Sequence, residues 1–151
     1  VDDSPSIRMF LEQTLVAAGH EVVTAPDGRH GLATLRTRSF DLLITDIFMP
    51  ETDGIETIRT ARQAGILPRV IAISSKDSIM NLLPAAKMLG AMRTIQKPFT
   101  AEQLKEVVDR VKENVAQRIF NNCLQGILPD EEELLSNAER IHVSLHCIER
   151  E

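Results

Sequence analysis

The chain has 151 residues, 43% of them apolar, and a formal charge of −5, which suits one packed domain with room for a helical appendage. No run of 18 or more apolar residues occurs and the N-terminus has no basic-then-apolar signal pattern, so a spanning helix is excluded and a cytoplasmic location without a membrane partner is expected. Cys123 and Cys147 have neither the number nor the spacing of a disulfide framework or zinc site; the charge is balanced up to residue 128 and acidic only beyond it, so direct nucleic-acid contact, which needs clustered Lys and Arg, is not expected.

In chain order, "VDDS" at 1–4 reads as the tail of a first strand that is almost entirely absent from the sequence as given. Upstream residues trimmed from the chain, or another segment filling the gap, would account for it, because a vacated interior strand leaves its neighbours' backbone groups unpaired. Ser4-Pro5 can start a helix. "HEVVTA" then reads as a strand, followed by a helix over 27–37. "DLLITDIF" is a strand ending near Asp46, after which Pro50 cannot continue a ladder and Asp53-Gly54 supplies turn chemistry before a helix over 54–65. "RVIAISS" is a further strand, followed by a helix over 78–90 in which Pro84 either lies in the first turn or kinks the helix. "MRTIQ" is the last strand, and Thr100 with Gln103 in capping-box spacing opens a long helix to about residue 124.

Strands alternating with helices predict an α/β fold with a parallel sheet covered on both faces. "DLLIT" and "VIAI" are continuously apolar, as central strands are. The division expected is a domain over 1–120 and a C-terminal helical extension over 121–151. Within that extension Asp130 and Glu133 can cap a second helix, whose apolar residues Leu134, Ala138, Ile141, Leu145 and Ile148 form a short coiled-coil-like seam. A homodimer through these helices, or a linker to an output domain, is expected. Cys123 and Cys147 should lie too far apart to pair within one hairpin, and His142 and His146 read as solvated helix-flank residues.

Ligands of such sheets bind outside the carboxyl ends of the strands. Those ends deliver Asp2, Asp3, Asp46, Ser74 and Lys97 to one edge. Clustered carboxylates repel one another unless a cation neutralises them, and an all-oxygen set suits Mg²⁺. A lysine opposite is a point charge for a phosphoryl group and a serine hydroxyl can donate to its oxygens. The parts describe phosphoryl transfer with Asp46 as nucleophile.

"VDDS", "TDIFMPETDG", the Ser74 that ends "VIAIS", "LGA" at 89–91 and "KPF" at 97–99 resemble, in order and spacing, the receiver domain of two-component response regulators, the CheY-like superfamily, over about residues 1–115. The resemblance implies a doubly wound, flavodoxin-like fold with a five-stranded parallel sheet in the order 2-1-3-4-5. It implies that Asp46 accepts the phosphoryl group, Asp3 binds Mg²⁺ directly, Asp2 holds metal-bound water and the Phe48 carbonyl is a further ligand. Ser74 and Lys97 take the roles of switch hydroxyl and phosphoryl-pairing lysine. The partner implied is a sensor histidine kinase, with dimerisation through the C-terminal helices or the face of the fourth helix, fifth strand and fifth helix. Such a chain is a phosphoacceptor switch rather than a turnover enzyme, although it catalyses its own phosphorylation and dephosphorylation.

Three positions depart from the family pattern. Thr94 stands where an aromatic switch residue is usual, which shifts attention to the 75–84 loop. Phe48 and Lys76 stand where hydrolysis of the acyl phosphate is tuned, and an apolar group at 48 cannot orient water. Slow self-dephosphorylation is expected. Two alternatives remain at this stage: a phosphorylation-independent dimerisation or scaffold module, and a Mg²⁺-dependent small-molecule phosphatase, which would need a substrate lid.

Overall fold

The structure is a computed structural model that describes residues 1–49, 54–75 and 83–124, the side chains of residues 83 and 114–124 excepted. The described elements are α1 (Pro5–Ala17), α2 (Gly28–Thr37), β1 (Leu42–Asp46), α3 (Gly54–Gln63), β2 (Arg69–Ser75), α4 (Leu83–Met88), β3 (Ala91–Lys97) and α5 (Ala101–Leu124). The strands form a parallel sheet in the order β1-β2-β3.

The central strand explains its own composition. Val70 and Ala72 pack into one core with Leu32, Leu35, Leu43, Ile58 and Ala86, from the α2, α3 and α4 side. Ile71 and Ile73, pointing the other way in the pleat, pack with Leu11, Leu15, Leu104 and Val108 from α1 and α5. All four β2 residues are fully buried, so the apolar run is continuous because both faces are covered, as expected of a doubly wound sheet.

The strand expected over "HEVVTA" is not formed: residues 20–25 carry no ladder pairing. In the expected order its one neighbour is the first strand, whose place beside β1 is taken by Val1 and Asp2. Those residues sit in the predicted slot. The Val1 nitrogen donates to Ile44 O at 2.7 Å, Asp46 N donates to Val1 O at 2.9 Å, and Asp2 N donates to Ala25 O at 3.2 Å. Val1-Asp2 therefore bridges β1, by two hydrogen bonds, and residue 25, by one, and among the described residues the sheet has three strands rather than five.

Local chemistry sets the helix ends. Ser4 caps α1 with Pro5 in its first turn, where a missing N–H costs nothing. Asp27 caps α2 through His30 N. Thr100 and Gln103 form the predicted reciprocal box, Thr100 N donating to Gln103 Oε1 at 2.9 Å and Gln103 N to Thr100 Oγ1 at 3.3 Å. Pro84 lies in α4 (Leu83–Met88); residues 76–82, on which the choice between its two expected placements rests, lie outside the described residues. Gly65, at φ +70°, supplies the left-handed residue past α3 that a side chain would resist.

Two compact units divide the chain, Val1–Val111 and Lys112–Glu151, with the boundary inside α5. The second helix of the extension with its seam, Cys147, His142 and His146 lie outside the described residues.

Candidate functional site

β1 runs into the sheet interior and delivers Asp46 at its carboxyl end, 3% exposed. Asp46 aligns with Ile73 across β2, and Ser75 of β2 aligns with Lys97 of β3, so three strand ends reach one edge. The Val1-Asp2 bridge beside β1 brings the acidic pair to the same place. Asp2 is wholly buried, Asp46 nearly so and Asp3 exposed, and one carboxylate oxygen from each lies within 4.8 Å of the others.

Lys97 Nζ donates to Asp2 Oδ2 at 2.8 Å and to Asp46 Oδ2. Burial alone would lower the lysine's pKa, but the hydrogen bonds to Asp2 and Asp46 outweigh it and hold the value above the ordinary one, so Nζ is an ammonium at neutral pH. Part of the repulsion predicted from the sequence is thus relieved by the protein's own lysine. The other oxygens of the two buried aspartates are held by backbone amides: Ser4 N donates to Asp2 Oδ1 at 2.9 Å and Phe48 N to Asp46 Oδ1 at 2.9 Å. Each carboxylate is fixed at two points, which orients it.

Three carboxylates against the Lys97 ammonium and the Arg8 guanidinium, which donates to the Asp2 and Asp3 carbonyls, leave a formal charge of −1 at this edge. An all-oxygen donor set with that charge fits a hard divalent cation such as Mg²⁺, with Asp2, Asp3 and Asp46 as the available carboxylates. Phe48, 38% exposed, lies on the rim, its backbone tied to Asp46. Ser74 is buried at the end of β2 with Oγ donating weakly to Ser75 O at 3.4 Å, a bond a better acceptor can replace. Phe99 stacks in a tilted arrangement on Phe10, ring centroids 5.9 Å apart, anchoring the turn after Lys97 to α1. Thr94 is half-buried on β3 opposite Ala72. Lys76 and the loop that follows it, like Pro50 to Asp53, lie outside the described residues.

Sequence reasoning does not single out Arg8, and it misses what Gly54 does in the site. Arg8 Nη1 donates to Asp2 O at 2.8 Å and Asp3 O at 3.0 Å. Its targets are backbone carbonyls, which leave no mark in sequence. Gly54, read from the sequence as turn chemistry, is required for a different reason: a Cβ there would overlap the Asp46 carbonyl oxygen and stand 2.9 Å from Ile47 Cα. The strand end and the start of α3 touch backbone to backbone, sealed by Gly54 N donating to Ile47 O at 2.9 Å.

Comparison with known proteins agrees with this geometry. A family model described as response regulator receiver domain matches residues 1–109. A glycogen synthase model matches residues 73–150; it begins within β2, so its first part falls on strands that the receiver match already covers and that share one sheet with β1. The alkaline phosphatase synthesis transcriptional regulatory protein PhoP of Bacillus subtilis is 34% identical over 112 residues, which are 74% of this chain and 45% of that protein. A probable transcriptional regulator, ycf27, of Galdieria sulphuraria is 29% identical, covering 95% of this chain and 59% of its own. Among solved structures, the receiver domain of NtrX from Brucella abortus superposes with a TM-score of 0.69 at 31% identity, over 74% of this chain and 94% of that one. Vibrio cholerae chemotaxis protein CheY4 gives a TM-score of 0.67 at 34% identity, over 73% and 92%. The chain spans about half the length of the curated relatives it matches.

Proposed function

Because residues 1–109 place the chain in the response regulator receiver domain family, we propose that it is a phosphorylation-controlled switch whose acceptor is Asp46. The donor is a phosphohistidine of a sensor histidine kinase. An Asp46 carboxylate oxygen attacks phosphorus, the P–N bond breaks, and its electron pair returns to the imidazole nitrogen, leaving an acyl phosphate on Asp46. Asp3, Asp46 and the Phe48 carbonyl would hold Mg²⁺, with Asp2 holding metal-bound water, and the ion would supply positive charge for a phosphoryl group's oxygens.

The chain's own groups do the rest. The Phe48 amide holds Asp46 Oδ1, which aims the carboxylate before reaction. Lys97 releases its bond to Asp46 and pairs with the incoming phosphoryl group, to which Ser74 Oγ donates in place of Ser75 O. One observation carries this reading: three carboxylates, Asp46 at the end of β1 and Asp2 and Asp3 beside it, converge within 4.8 Å next to a lysine that reaches two of them.

The chain acts as a stoichiometric phosphoacceptor in the cytoplasm rather than as a turnover enzyme. No described helix is long and apolar enough to cross a membrane. The names of its relatives suggest transcription as the output. In this reading the chain contributes the regulatory part, with dimerisation through the C-terminal helices or the α4-β3-α5 face and no DNA contact of its own. Incubation with acetyl phosphate and Mg²⁺ should add one phosphoryl group by mass spectrometry, and Asp46→Asn or EDTA should abolish the addition. Wild-type protein that stays unmodified refutes the proposal, as would turnover of small phosphorylated metabolites.

A further inference from the structure

Arg8 lies one turn into α1, six residues after Asp2 and five after Asp3. From there its Nη1 donates to both of their backbone carbonyls, at 2.8 and 3.0 Å. Among the described residues, those two carry the only acidic groups of the site that do not come from a strand paired in the sheet. Asp46 is fixed by β1. The Asp2-Asp3 segment, in contrast, belongs to no ladder: Val1 before it makes two bonds to β1, Asp2 N donates to Ala25 O, and the Ser4 amide and Lys97 hold the Asp2 carboxylate, while Arg8 alone among these bonds reaches the carbonyl of Asp3.

We propose that Arg8 is a positioning residue for the acidic pair: by gripping two successive carbonyls it sets the peptide plane between them. That plane decides whether the Asp2 and Asp3 carboxylates converge on Asp46. This inference rests on the receiver reading given above. The guanidinium suits the task because its charge strengthens each N–H···O bond and its planar head is held in one orientation.

Two effects of Arg8 on a divalent cation oppose each other, and this makes the role testable. Its positive charge near the carboxylates disfavours a cation by Coulomb repulsion, so if charge were all that mattered, removing it would tighten binding. Its grip on the backbone favours a cation by preorganising the ligands, so removing it would weaken binding. Residues that orient metal ligands are typically worth 10- to 100-fold in affinity. A partly exposed single charge in high dielectric contributes less. The net sign is therefore weakening.

The experiment measures Mn²⁺ binding to the whole chain by the electron paramagnetic resonance signal of free Mn²⁺, for wild type, Arg8→Met and Arg8→Lys. Circular dichroism and metal-free thermal midpoints are recorded alongside. Arg8→Lys keeps the charge but shortens the reach and loses the planar head, so it isolates positioning from charge. Both variants should bind Mn²⁺ about 10-fold or more weakly. The rise in thermal midpoint on adding Mn²⁺ should shrink in step, while the metal-free midpoint changes far less. Should Arg8→Met fail to fold, Arg8→Lys carries the same comparison. A folded variant that binds Mn²⁺ as well as wild type, or more tightly, overturns the positioning role alone. Wild type that takes up no Mn²⁺ overturns both this role and the reading beneath it.

Discussion

Substituting Gly54 by alanine tests how the carboxylate edge is built. A Cβ at this position meets backbone, not side chain: the Asp46 carbonyl oxygen overlaps it outright, and the Asp46 carbonyl carbon and Ile47 Cα stand at 2.9 Å. Carbon atoms pack comfortably at about 3.5–4.0 Å, so the strand end or the helix start must move by at least ~0.6 Å. Neither is free to do so, because Ile47 N donates to Ile73 O and Gly54 N to Ile47 O, both at 2.9 Å, and Ile47 is wholly buried. Overpacking a rigid site costs about 1–3 kcal/mol. Alanine's better helix propensity returns less than about 1 kcal/mol at the first position of α3, which leaves a net loss of about 2 kcal/mol. Urea denaturation followed by circular dichroism should show that loss as a lower midpoint at unchanged m. Because the atom displaced belongs to Asp46 itself, acetyl phosphate labelling should fall as well. Gly65→Ala is the comparison: it too is strained, by its φ of +70°, but it has open space around it and should leave labelling intact. Wild-type stability and labelling in Gly54→Ala would refute the close-contact reasoning.

Phe48→Asn should accelerate loss of phosphate from Asp46 by about tenfold, the worth of about 1.4 kcal/mol and of one hydrogen bond to an attacking water. The phosphate-release rate measures it, and a rate equal to wild type removes the idea. Asp27 caps α2, and its carboxyl is held below the ordinary range chiefly by the His30 backbone amide, with the His30 ring adding to it. A depressed folded value means that the stabilisation is present above the unfolded pKa of about 3.9 and is lost as pH falls through the folded one. Asp27→Asn, which keeps the cap without the titration, should therefore flatten the acid limb of the stability profile below about pH 4, leaving a smaller difference from wild type in acid than at neutral pH.

Much of this molecule is legible along the chain. Periodicity places the helices and central strands, Thr100 and Gln103 announce their capping box, and strand-end residues name the site, because each signal arises between residues within a few positions of one another. Sequence also identifies Asp2, Asp3, Asp46, Ser74 and Lys97 as a set, since an α/β sheet sends all its strand ends to one edge. Tertiary structure alone decided the rest. "HEVVTA" has strand composition but forms no ladder, since pairing depends on a neighbour and not on propensity. Lys97 spans 95 residues to Asp2 and 51 to Asp46, and supplies part of the neutralising charge that sequence reasoning assigned to a metal. Arg8 and Gly54 act on backbone atoms, which are the same in every residue, so only the folded chain reveals which carbonyl is gripped and which leaves no room for a methyl group.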